Sequence, residues 1–211
     1  MQSVLRNEEK LLKFKKKLKI IESFNCCKMP QKIPFFTLMT GGDSELTHEL
    51  MSTLPGLLVS PMLWHNYGCG LYGENFQLKA VGFSVELILE NELPAVFTAL
   101  RLNKLPIGVI LDTWLRQCFL NILDFNEIEQ YILFALFYGS DYIVYFCVSL
   151  ICNIQEIILD NDDPEVNLFQ KIVTHRAEGF FAGDYLPFMN KLSAKYRSII
   201  FEYLNSLVNM L

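Results

Sequence analysis

The sequence predicts an all-α domain, and three observations lead there. From about Phe76 to the C-terminal end, apolar residues recur at helical spacing. The breaks between these runs carry helix stops and starts: Pro94, Pro106, Asp124, Gly139-Ser140-Asp141 and Asp163-Pro164. The intervening loops are short, which favours antiparallel helices packed on one another.

Taken in order, Leu11, Phe14, Leu18 and Ile21 mark the apolar face of a first helix otherwise filled with lysines. A turn-rich loop follows, and Asp43 or Ser44 then caps a short helix through about Met51. The next zone, STLPGLLVSPMLWHNYGCGLYGEN, is irregular, with two prolines and four glycines. Helices are then expected over 76–91, 93–101, 107–120, 125–138, 141–159, 164–177 and 184–209. Pro94 and Pro106 fall in first turns, where a missing N–H costs little. Asp124 with Glu127 at N3 reads as a capping pair, and Asp163 as a cap before an N1 proline.

The most apolar stretch, FALFYGSDYIVYFCVSLIC (134–152), poses a choice between a membrane span and a buried hairpin. The 22 residues from Tyr131 to Cys152 approach the length of a span. Their single formal charge, Asp141, would then lie near the bilayer centre, at a cost of about 2.5–3.5 kcal/mol. Gly139, Ser140 and Asp141 form a helix stop and N-cap, so two buried helices joined at a tight turn are expected, with no transmembrane segment.

Composition bounds the function. Of 211 residues, 52% are hydrophobic and 19% charged, which excludes intrinsic disorder. The net charge of −5 hides an asymmetry, because residues 1–19 carry seven basic and two acidic side chains. The remaining body is acidic and would repel phosphate backbones, so nucleic acid is not an expected partner. The opening MQSVLRNEEK has no apolar core behind its charges, so no secretory leader is read there. Six cysteines without C-x-x-C spacing and three scattered histidines predict reduced thiols, no zinc site and a cytoplasmic location.

Catalytic motifs are sparse. GCGLYG places Gly68, Gly70 and Gly73 at G-x-G-x-x-G spacing, with Glu90 downstream for a ribose. The motif lacks its strand–turn–helix setting, so a glycine-bearing loop is the better reading and no cofactor is expected. No G-x-S-x-G, H-E-x-x-H or P-loop occurs. Lys13, Lys15, Lys16 and Lys17 could contact an acidic partner or an anionic membrane, although lysine runs on helices are more often solvated faces. Trp114, in an apolar stripe, is expected in the core.

Residues 93–151 then resemble the C-terminal half of a TBC domain, the Rab GTPase-activating fold. The features that carry the likeness are Leu93-Pro94 leading a helix, Trp114 with Phe119, and Gly139-Ser140-Asp141 turning into an apolar helix. The likeness extends over about residues 73–175. It implies an all-α, TBC-like helical domain over 73–211, mainly a C-terminal lobe. Residues 1–72 would form an atypical, shortened N-terminal part with a basic helix and a Gly/Pro-rich segment.

Active family members supply an arginine from I-x-x-D-x-x-R and a glutamine from Y-x-Q. These stabilise charge on the transferred phosphoryl group and orient the attacking water. Neither motif is present. Ile110 to Arg116 contains Asp112 and Arg116 at the wrong intervals, and Tyr67-Gly68-Cys69-Gly70 sets a cysteine where the glutamine belongs. Cys69 lacks the paired amide and carbonyl that hold a water. The resemblance therefore implies a catalytically inactive interaction or scaffold domain with protein partners, a Rab-type GTPase or ciliary proteins, at the cilium or its base. The alternative is an active GAP with non-standard finger residues.

Overall fold

The computed structural model describes residues 36–37, 39–53, 76–160 and 167–208. The chain divides into two compact units, Met1–Leu57 and Leu58–Leu211. The expected lysine-rich helix, the GCGLYG loop and the Asp162-Asp163-Pro164 cap lie outside the described residues.

In the first unit, α1 (Ser44–Thr53) starts as its sequence dictates. Asp43 Oδ1 accepts the backbone N–H groups of Glu45 (2.9 Å) and Leu46 (3.1 Å), so Asp43 rather than Ser44 is the cap.

In the second unit every described element is a helix: α2 (Phe76–Glu92), α3 (Pro94–Leu102), α4 (Ile107–Arg116), α5 (Phe125–Tyr138), α6 (Asp141–Asn153), α7 (Gln155–Leu159), α8 (Leu168–Thr174) and α9 (Ala182–Val208). No strand occurs among the described residues. The core is built around α6, whose residues from Asp141 to Ile151 are all buried. A helix apolar on every side must be enclosed, and α2, α5 and α9 pack around this one. No single described helix is long and apolar enough to cross a membrane. The greasy stretch is a packed hairpin of α5 and α6, turning at Gly139.

An aromatic cluster fills the centre. Phe119 stands edge-on to Tyr131 at 4.9 Å between ring centroids, and Phe146 lies 5.1 Å from Tyr131 and 5.5 Å from Phe180. Such pairs each contribute about 0.5–1.5 kcal/mol beyond burial. Trp114 is 1% exposed and borders the cluster through Phe119. Elsewhere α2 and α4 cross so closely that a Cβ on Gly82 would meet the Gly108 backbone at 3.2 Å.

Four expected details are corrected. The helix expected over 107–120 ends at Arg116, because Cys118 and Phe119 take positive φ values (50° and 58°) and swing the Phe119 ring inward. The helix expected over 141–159 is interrupted at Ile154, so α7 is separate. The helix expected from 164 starts at Leu168, where Asn167 Oδ1 accepts from Phe169 N at 3.0 Å. Glu127, expected to complete a capping box, instead reaches α9 and accepts the N–H of Ala182 at 2.6 Å.

Candidate functional site: a hairpin hub and a cationic groove

The residues nearest in pattern to an arginine finger sit on α4. Arg116 Nε donates to Asp112 Oδ2 at 2.7 Å, and the two side chains are 50% and 39% exposed. One helical turn separates them, the usual geometry of a surface i,i+4 pair, worth about 0.3–0.5 kcal/mol. Arg116 is thus tethered to its own helix. Trp114, on the opposite side of α4, is a core residue whose Nε1 has no hydrogen-bond partner among the described residues.

Tyr67 to Gly70 and Lys13, Lys15, Lys16 and Lys17 are outside the described residues. So is the glycine loop. The segment VELIL, where a dinucleotide fold needs a strand after its crossover, is the middle of α2, with Glu90 exposed on it. No cluster of three metal-ligating side chains occurs among the described residues.

The arrangement that sequence reading missed is a polar hub beneath the α5–α6 turn. Asp141, expected as part of a helix stop and N-cap, is fully buried. Its Oδ2 lies 3.6 Å from Arg197 Nε on α9, and neither carboxylate oxygen has a hydrogen-bond partner among the described residues. Burial raises its pKa, partly offset by Arg197. Arg197 also donates from Nη2 to the Tyr138 carbonyl at 3.0 Å. One guanidinium thereby serves the C-terminal end of α5 and the first turn of α6, a cation at the negative pole and a carboxylate at the positive pole.

Around the hub, Tyr142 donates to Asn190 Oδ1 at 2.6 Å, and Ser193 approaches the hydroxyls of Tyr142 and Tyr145. Burial and the neighbouring carboxylate push Tyr145 far above its ordinary pKa, so it stays neutral. The Asp141, Tyr142 and Tyr145 side chains are buried, while Arg197, Asn190 and Tyr138 reach the surface. The hub fixes α9 against the hairpin. Local patterning could not reveal it, since Arg197 enters from another helix far along the chain.

The surface offers a second feature. An open cavity of about 230 Å³ lies at the corner where α3 and α4 meet at 98°. Leu89, Leu100, Leu105, Pro106 and Ile107 make its apolar floor. Arg101 and Lys104 on one side and Glu86 on α2 line it with charge, and the Arg101 guanidinium covers the Phe97 ring at 5.6 Å. The corner closes α3 with a Schellman turn: Leu105 N donates to Leu100 O, and Lys104 N to Arg101 O, both at 3.0 Å. Lys104 occupies the left-handed position of that turn (φ 53°), which glycine ordinarily fills.

A family profile described as "Broad-minded protein Rab TBC domain" matches residues 2–207. Protein broad-minded of Danio rerio is 36% identical over 125 residues, covering 59% of this chain and 10% of that protein. Protein broad-minded of Mus musculus is 28% identical over 179 residues, covering 79% of this chain and 13% of that protein. The chain therefore spans only about a tenth of the length of these relatives. No solved structure matches. The helical hairpin, the Trp114 helix and the match across almost the whole chain agree: this chain belongs to the family of the Broad-minded protein Rab TBC domain.

Proposed function

We propose that the chain is a catalytically silent TBC-like domain that binds protein partners as part of a scaffold in ciliary assembly and signalling. The observation that carries this reading is the state of the finger positions. The sequence contains neither I-x-x-D-x-x-R nor Y-x-Q. The one arginine near such a pattern, Arg116, is held by Asp112 on an exposed face. Without a charge-stabilising arginine, a GTPase-activating protein forfeits about 10³–10⁵ in rate. What remains is a stiff helical body with a well-filled core, suited to presenting a surface. The ciliary assignment rests on kinship with the Broad-minded family.

The test is GTP hydrolysis by a panel of Rab proteins with and without this chain. No acceleration is expected. A robust increase abolished by Arg116→Ala would overturn the reading. The family description, which names a Rab TBC domain, favours the second reading, an active Rab GAP with non-standard fingers. In that case Arg116→Ala alone, or a substitution at Cys69, should lower the rate by orders of magnitude.

A further inference from the structure

We propose that the α3–α4 corner is a docking groove for a linear peptide segment in which an apolar side chain is flanked by acidic residues. This rests on the interaction-domain reading and names the chemistry of one partner. Two observations converge on the groove. The first is charge. The floor is apolar, while Arg101 and Lys104 project beside it against the single carboxylate of Glu86. Neither cation is engaged in an ion pair among the described residues. An apolar side chain seated on Leu100, Leu105 and Ile107 would gain burial, and an acidic neighbour would answer the two cations. A basic segment would be repelled by the same pair.

The second observation is backbone strain. A Schellman turn places its C′ residue in the left-handed region, where glycine fits without penalty and a side chain does not. Here that residue is Lys104. Lysine has no local compensation: among the described residues its ammonium makes no hydrogen bond and pairs with no carboxylate. Strained side chains of this kind concentrate where a ligand is held. The turn that strains Lys104 also sets it on the lining of the cavity. Arg101 is prepared differently, since its guanidinium is laid over Phe97, leaving its N–H edge for a carboxylate.

The experiment selects binders to the 211-residue chain from a phage-displayed library of random linear peptides, then measures the selected peptides by fluorescence anisotropy. Peptides pairing a bulky apolar residue with flanking Asp or Glu are expected. Lys104→Gly removes the ammonium while relieving the turn. It should raise the melting temperature yet weaken binding roughly 2–5-fold, as for one exposed ion pair. Arg101→Glu with Lys104→Glu should weaken it by about tenfold or more, and added salt should do likewise. Far-ultraviolet circular dichroism checks that the variants keep their helices.

Several outcomes overturn the proposal: no peptide enriched, enriched peptides lacking acidic residues, or affinities indifferent to both variants. Self-association of the chain that Arg101→Glu with Lys104→Glu abolishes would assign the groove to a second copy instead. The Rab hydrolysis panel separates the two readings. Acceleration there removes the silent-domain reading and leaves the peptide result standing. Failure of the peptides without acceleration removes the groove alone.

Discussion

Replacing Gly139 by alanine should be among the most damaging single-methyl additions available to this chain. Gly139 has φ 118° and ψ 171°, a region that only glycine occupies at little cost. An added Cβ would meet Asp141 Oδ1 at 2.9 Å, Arg197 Nη2 at 3.5 Å and the Phe201 ring at 3.7 Å. The backbone strain alone is worth about 1–3 kcal/mol. Displacing a buried carboxylate that stands 3.6 Å from its cation adds about 1–3 kcal/mol, as overpacking does in cores generally. The sum, about 2–6 kcal/mol, is a large share of the 5–15 kcal/mol typical of a domain.

Gly179→Ala is the control. Its φ of 77° is also left-handed, but an added Cβ meets nothing within 4 Å, so only about 1–2 kcal/mol of conformational cost applies. Urea unfolding followed by circular dichroism measures both. A double-mutant cycle of Gly139→Ala with Asp141→Ala should show coupling of about 0.5–3 kcal/mol, because the second change removes the atom that clashes. Equal costs for the two glycines together with zero coupling would refute the reasoning about the hub.

Other predictions concern the same framework. Asp141 has a folded-state pKa above its ordinary value, so the stability it contributes is fully present below the ordinary carboxylate range and lost as pH rises through the folded value. Urea midpoints from mild acid to neutral pH should show this component in the wild type and not in Asp141→Asn. Glu92 has the opposite sign, held low chiefly by the hydrogen bond from Lys195. Its contribution is present above the ordinary glutamate value and fades as pH falls through the lowered one; Glu92→Gln should remove that slope. Trp114→Ala should cost about 3–5 kcal/mol by thermal unfolding, whereas Trp114→Phe should cost less because it removes an N–H buried without a partner. Lys104→Gly should gain about 1–2 kcal/mol in urea unfolding by relieving the left-handed turn.

Much of the fold was legible because its signals are local. The α5–α6 hairpin follows from apolar runs around Gly139-Ser140-Asp141, and the observed bounds 125–138 match the expected helix. Trp114 was placed in the core from its stripe, and there it lies. What escaped prediction depends on partners distant in sequence. Nothing local marks Arg116 as the last helical residue, since Cys118 and Phe119 take positive φ to bring Phe119 to Tyr131 and Phe146. Asp141 and Glu127 both looked like caps for their own helices, and α9 claims both, through Arg197 and through the Ala182 N–H. The groove was equally hidden. Leu-Asn-Lys-Leu-Pro carries no glycine to announce a Schellman turn, and its apolar floor comes from three separate helices and a loop.

A catalyst binds the transition state more tightly than the ground state, whereas a silent binding domain has no reason to distinguish them. The decisive measurement is therefore association of this chain with Rab proteins loaded either with a non-hydrolysable GTP analogue or with GDP and aluminium fluoride, which imitates the phosphoryl group in transfer. The account predicts no strengthening by aluminium fluoride for any Rab. Marked strengthening that Arg116→Ala abolishes would contradict it.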